Sequence, residues 1–510
     1  MKKALFSLLF VALSAMTFAQ RWTSISSNAP AGPEVKLVSS SEQQVVVDFS
    51  LGGFYLTRVS TPNGTQQIVS VPEMASMLEA GAPDLPQFPV PAIIGDMAEM
   101  QVRVTKSAFT DYENVEIAPS KGNFSRQIDP ESVAYTYGAM YSKNAYYPTA
   151  QAYLETPYII RDFRGQNIMV SPFAYNPVTK TLRVYHDMTI EMRKVSDNGV
   201  NQKTTRRANA KVSPEMKASY DHRFINYKES NSKYTFVEDR GELLVICPDQ
   251  YMETMQTFVD WKNQSGRPTT IVSLSEVGGN NDTQIKNYIQ SIYNDPDHNL
   301  EFVLLVGDYA DLTPHSMSGG RSDNWFGQLE GNDYYLELLT GRFSVQTMKD
   351  VETHVDKVLY YERDMPEGLT WVNQGIGIGA NEGAGNGHNG GEADYVHINY
   401  IRDTLMHYTY ENVTQQYSGV GSGTNANAIS ADFNAGKSIC NYCNHGSQTS
   451  WAVANYSNSH VNALVNDDKW PYIWSVACNN GQFDGTCFGE AWLRATNETT
   501  GRPTGAVGVA

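Results

Sequence analysis

The chain has 510 residues, a length that holds roughly two to four domains. With 41% apolar and 18% charged residues it is not disordered as a whole. Its 55 acidic against 38 basic side chains give a net charge of -17, which argues against a binder of nucleic acid or anionic membranes.

The N-terminus reads as a cleaved secretory signal over 1–19. Lys2 and Lys3 precede the apolar run Ala4 to Leu13, and Thr17-Phe18-Ala19 places small residues where a signal peptidase reads. The run is too short to cross a bilayer, and no later segment is apolar for long enough, so no transmembrane segment is expected. The five cysteines are an odd number, so at least one thiol has no partner in the chain. At the other end, Gly505 to Ala510 reads as a strand without a polar tail, which predicts a longer protein of which this is a part.

Residues 20 to 200 read as β-rich. Gln44 to Phe49, Gln101 to Val104 and Thr181 to Tyr185 alternate apolar and polar side chains between turn residues. An antiparallel sandwich or jelly-roll-like domain is expected. Residues 196–233, with Lys203, Arg206, Arg207 and Lys211, read as an exposed, cleavable linker.

Beyond Tyr234 the pattern changes. Glu242–Cys247, Thr269–Val272 and Glu301–Val306 are continuous apolar strands. Helical spacing separates them at Gln250–Lys262 and Thr283–Asn294, and a helix at Val351–Arg363 closes the unit. A second unit starts at the strand Gly375–Ala380. Helices follow at Ala393–His407 and Ala426–Asn434, then the strand Ser438–Tyr442, a short helix at His460–Val465 and the strand Tyr472–Ala477. Both units predict parallel sheets covered by helices. Gly385 to Gly390 spells G-x-G-x-x-G, but not directly between strand and helix, so a dinucleotide site is not expected.

Two strand ends carry the chemistry. One strand runs into Asn444-His445-Gly446, the next into Ala477-Cys478-Asn479-Asn480. They are 33 residues apart, which suits one strand–helix–strand crossover. A right-handed crossover sets both ends on one sheet edge. A thiol that attacks a carbonyl needs an imidazole to move protons, and the N–H groups of Gly446 and Cys478 could form an oxyanion hole. The rival reading is a zinc site from Cys440, Cys443 and His445 with Cys478 or Cys487. The odd spacing of Cys440 and Cys443 within a strand points them to opposite faces and opposes it.

At these residues the sequence resembles the gingipain family of secreted cysteine peptidases, closest to its arginine-specific branch. The resemblance is carried by Asn441 to Trp451, Trp474 to Gly481, Cys487 to Ala491 and Gly501 to Gly505. It extends to Phe258–Gln264, Val303–Asp308, Gly331–Tyr334, Gly341–Ser344 and, in the β-rich part, Tyr175–Arg183. It implies a caspase-like α/β peptidase made as a zymogen, secreted or held at the outer membrane. The implied parts are a β-rich inhibitory propeptide over 20–233 and two α/β subdomains over 234–372 and 373–510.

The resemblance makes Cys478 the nucleophile, His445 the catalytic histidine and Glu382 the acid that orients it. It puts Asp394 at the base of a pocket for a basic side chain, so substrates would be proteins and peptides cut after arginine, with lysine as the second residue. A buried carboxylate takes a guanidinium fork bidentately. Calcium is the implied cofactor. Carboxylates of Asp308, Asp333, Glu337 and Glu490 and carbonyls of Glu330, Tyr335 and Phe483 would bind it, with Glu392 and His397 at another position. Hard oxygen donors suit that ion, although no EF-hand loop is present. The propeptide would inhibit through Arg126, with Lys121 as second candidate, and be cut between Lys233 and Tyr234. That lysine departs from the arginine branch. It leaves open a pocket that admits lysine, another peptidase, or cutting at Arg206-Arg207 or Arg223. Cys443 is a second departure, with no role assigned. The contrasting reading is a secreted binding or adhesive protein on an inactive peptidase-like fold.

Overall fold

A computed structural model describes residues 21–124, 128, 130–205, 211–227, 237–238, 240–382 and 392–510. The signal, Arg126, Arg206-Arg207, Lys233, Tyr234 and the loop Gly385 to Gly390 lie outside the described residues. Among the described residues no helix is long and apolar enough to cross a membrane.

The first part is β-rich and antiparallel. Thr181–Ser196 pairs with Gln44–Ser50, Glu99–Tyr112 and Phe173–Asn176, and Glu34–Ser40 completes this sheet. A second sheet is built on Phe163–Val170, paired with Pro86–Ile94, Tyr158–Ile160 and Ala152–Leu154. Alternate side chains of both sheets, among them Val47, Phe49, Ile168, Val170, Leu182 and Ile190, fill one core.

The expected linker is more ordered than its composition suggests. Pro214–Arg223 is a helix capped by Ser213, whose Oγ accepts from the Met216 amide. Val212, Met216, Tyr220, Phe224 and Tyr227 recur every three or four residues and form a buried cluster. The average polarity of the segment conceals this stripe. Lys203, expected to be exposed, is buried in an ion pair with Glu330 at 2.8 Å.

The remaining chain forms two parallel sheets. The first has four strands in the order Thr269–Ser273, Glu242–Cys247, Leu300–Val306 and Leu339–Phe343. Leu243, Val245 and Cys247 face one core and Leu244 and Ile246 another, so the strand is apolar throughout. The helix Met252–Gln264 covers the first face and Asp282–Asn294 the second. The strand Leu339–Phe343 escapes a reading by hydrophobicity because Thr340, Gly341 and Arg342 interrupt it.

The second sheet has five strands in the order Asn412–Ser418, Gln374–Ala380, Ile439–Cys443, Tyr472–Val476 and Gly508–Val509, all parallel. Ile376 and Ile378 enter its main core. Gly377 and Gly379 point the other way, where the helix Asp394–Tyr408 lies directly on the strand. A Cβ at 377 would sit 2.5 Å from Ile398 Cγ2, and one at 379 would sit 3.3 Å from the Tyr395 backbone. These glycines let the helix approach, and its first residue, Asp394, reaches the end of the sheet. The short crossover helix is Asn458–Asn462, slightly earlier than expected, because Ser457 and His460 form its capping box.

Candidate active site

The histidine strand Ile439–Cys443 and the cysteine strand Tyr472–Val476 pair in parallel, with Cys443 opposite Val476. His445 and Cys478 each stand two residues past this last pair. The two loops then pack together. A Cβ on Gly446 would lie 2.7 Å from Ala477 Cβ and 2.8 Å from Asn480 Nδ2, so this position admits only glycine. The structure thus gives Gly446 a packing reason besides access to a substrate.

The histidine backbone is clamped. Tyr442 stacks on Trp451 with ring centroids 4.4 Å apart, and its hydroxyl donates to the His445 carbonyl at 2.6 Å and accepts from the Ala452 amide at 3.1 Å. The ring is oriented from the neighbouring strand: His445 Nε2 lies 2.8 Å from Glu382 Oε1. Glu382 stands two residues past the strand Gln374–Ala380, the other neighbour of the histidine strand. Both partners are partly exposed, so this pair fixes geometry more than it adds stability.

Two residues named in the sequence only as part of motifs tie the site together. Asn444 Nδ2 donates to Glu382 Oε2 at 2.5 Å and to Asp394 Oδ2 at 2.7 Å. Asn480 Nδ2 donates to the carbonyls of Ser447 and Ser450, and its Oδ1 accepts from Ser475 Oγ. Their signal was adjacency to His445 and Cys478. Asp394 is fully buried at the first turn of its helix, where the macrodipole favours a carboxylate. Cys443 Sγ lies 3.8 Å from its Oδ1.

All five cysteines are free thiols, and Cys478 alone is exposed. Burial pushes the thiols of Cys247 and Cys487 up to about 12 and that of Cys440 higher still, so these remain protonated and inert. Cys440 and Cys443 enter different cores on opposite faces of the sheet, as their spacing in the strand requires. An accessible thiol and an imidazole that a carboxylate holds, at the ends of neighbouring parallel strands, are the groups that open an acyl bond by nucleophilic attack.

The matches to known proteins agree with this geometry. Residues 237–510 match the family model of peptidase family C25, and residues 26–234 that of the C25 propeptide. The chain belongs to peptidase family C25. Gingipain R1 of Porphyromonas gingivalis is 36% identical over 504 residues, which is 98% of this chain and 49% of that protein. Gingipain R2 of the same organism is 35% identical over 98% of this chain and 66% of its own length. This C25 chain therefore spans about half to two thirds of the length of those relatives. A crystal structure titled as the Arg-specific cysteine proteinase gingipain R superposes with a TM-score of 0.50 at 35% identity, covering 54% of this chain and 64% of that one. A complex of the pro- and mature domains of Porphyromonas gingivalis RgpB gives 0.50 at 36%, covering 53% and 63%.

Most of the residues expected to bind calcium fall at two junctions of this C25 chain. Among the described residues no three His, Cys, Asp or Glu side chains gather as a metal would need. Glu337 is fully buried. Its Oε2 accepts from the Leu329 and Glu330 amides, whereas Oε1 has no hydrogen-bond partner. Burial pushes its carboxyl up to about 7. Asp333 accepts from Tyr335 N, Ile159 N and Asn201 Nδ2, and Glu330 from Tyr293 and Lys203, so the β-rich domain reaches into this group. The Tyr335 ring stacks on Tyr158. Asp308 and Glu490 meet between the two sheets, where Arg494 lies 3.5 Å from Asp308 and 2.9 Å from Glu490. Phe483 lies under Arg342, and Glu392 Oε1 is 2.9 Å from His397 Nδ1. Lys121 donates to the Pro130 carbonyl inside its own domain, so the structure does not place it in the Asp394 pocket.

Proposed function

We propose that this chain is the secreted zymogen of a cysteine endopeptidase that cleaves proteins and peptides after arginine, with lysine as the second residue. The reading is supported by exposed Cys478 and by His445, held by Glu382, each two residues past the end of one of two paired parallel strands. With Nε2 engaged by Glu382, Nδ1 is the nitrogen left for the thiol proton. The thiolate sulfur bonds to the scissile carbonyl carbon, and the imidazolium returns its proton to the leaving amine as the C–N bond breaks. Water, deprotonated by the same ring, then releases the acid and the thiol. The N–H groups of Gly446 and Cys478 face the developing oxyanion, a contribution worth roughly 10²–10³ in rate for one donor.

Asp394 is the substrate-selecting carboxylate of this reading. A guanidinium balances its charge, and a neutral side chain does not. The β-rich domain is the chain's own inhibitor, with Arg126 blocking the Asp394 pocket until the chain is cut between Lys233 and Tyr234. Calcium is its structural ion. The unpartnered Oε1 of Glu337 fits a cation, with Asp333 and the carbonyls of Glu330 and Tyr335 completing that site. Asp308, Glu490 and the Phe483 carbonyl form a second, and Glu392 with His397 a third. The test is hydrolysis of fluorogenic peptides ending in arginine, lysine or a neutral residue by activated protein and by Cys478→Ala. Turnover confined to the basic peptides and absent in the variant is expected. Equal, negligible turnover in both would favour a non-catalytic binding protein.

A further inference from the structure

The β-rich domain buries an arginine, Arg161, against the catalytic part, far along the chain from Arg126. Arg161 begins the two-residue tip between Tyr158–Ile160 and Phe163–Val170, where Ile160 pairs with Phe163. Its φ is 45°, in the left-handed region that a hairpin tip normally gives to glycine or asparagine. The side chain that bears this strain is completely buried.

Its guanidinium reads the amino-terminal edge of the four-stranded sheet. Nη1 donates to the Leu300 carbonyl at 2.6 Å and to the Glu337 carbonyl at 3.1 Å. Nη2 donates to Asn299 Oδ1 at 2.7 Å and lies 3.6 Å from Glu301 Oε1. Glu301 is itself fully buried, and a Cβ on Gly241 would lie 2.3 Å from its Oε2. Here a planar fork meets fixed oxygens, a geometry that an ammonium cannot reproduce. His445 and Cys478 stand instead past the carboxyl ends of the other sheet.

We propose that the catalytic part carries a guanidinium-binding site at this edge, and that Arg161 fills it to keep the β-rich domain attached after the connection between them is cut. The proposal rests on the propeptide reading only in that residues 26–234 are separable. Its test needs no peptidase activity. A site-specific protease sequence is inserted between Ser230 and Asn231 of the full chain carrying Cys478→Ala, the chain is cut, and dissociation of the halves is followed by gel filtration and surface binding. Cut wild-type halves are expected to co-elute. Arg161→Ala should weaken their association by about 10²-fold or more, the scale for truncating one partner of a buried charged pair. Arg161→Lys should recover little of that loss. Association within twofold of wild type in Arg161→Ala would overturn the proposal. Should Arg161→Ala fail to fold, as thermal melting of the uncut chain reports, competition decides. Millimolar arginine amide should speed dissociation of the wild-type halves, and lysine amide should not. Equal action of the two amides would sink the idea.

Discussion

The carboxyl edge of the five-stranded sheet and the amino edge of the four-stranded sheet use polar residues in opposite ways. At the first, His445, Glu382 and Cys478 are partly or fully exposed, and amide side chains fix their relative positions. At the second, Arg161 and Glu301 are sealed from solvent. An exposed pair in water contributes little to stability, so it is free to take part in chemistry. A buried charge left unpaired costs several kcal/mol, so it holds two pieces of chain together. The proposed reaction and the proposed attachment therefore occupy different edges.

Substitutions at the first edge should divide activity from stability. Cys478→Ala should lower kcat by roughly 10⁵–10⁶ with an unchanged melting temperature, because the thiol is exposed. Asn444→Ala should harm both. It frees Glu382 and strips a partner from buried Asp394, so kcat/KM should fall on the order of 10²-fold and stability by about 1–3 kcal/mol in denaturant titrations. Gly377→Ala, remote from the reacting atoms, should cost about 1–3 kcal/mol as the new methyl meets Ile398. Its activity should suffer only through displacement of Asp394. A melting temperature equal to wild type would show that the helix can retreat without cost.

A further effect expected is one of pH. His354 is buried against Phe343, and burial holds its imidazole down to about 3, below the usual 6.5. The unfolded chain takes up that proton below pH 6.5, whereas the folded chain stays neutral. Its contribution is therefore complete above pH 6.5 and lost as pH falls towards 3, by at most about 1.4 kcal/mol per unit. Stability measured from pH 7 to 4 should fall less steeply in His354→Gln than in wild type. Parallel slopes would assign the acid limb to the carboxylates.

Much of the site was legible because it is encoded locally. A strand of apolar residues that ends in Asn444-His445-Gly446, and the next that ends in Ala477-Cys478, fix position by strand geometry alone. Period-two alternation marked the β-rich part, and continuous apolar runs marked the parallel sheets. Other features escaped, the strand Asn412–Ser418 among them. The strand Leu339–Phe343 is stabilised by its neighbour Leu300–Val306 and not by its own composition. The helix Pro214–Arg223 is polar on average, which masks the three- and four-residue spacing of its apolar stripe. Asn444 and Asn480 carry no reactive group, so their bridging role exists only once the strands lie side by side.

The sequence by itself determined the α/β class, the β-rich leading domain and the strand ends that carry His445 and Cys478, since each follows from neighbours in the chain or one crossover. The tertiary structure decided the rest. It brought Asp394 to the sheet end through Gly377 and Gly379, left Cys478 as the exposed thiol, and set Arg161 against carbonyls some 140 residues away in the chain. Those contacts join segments with no local signal for one another. They form because buried polar groups must find partners wherever the packing places them.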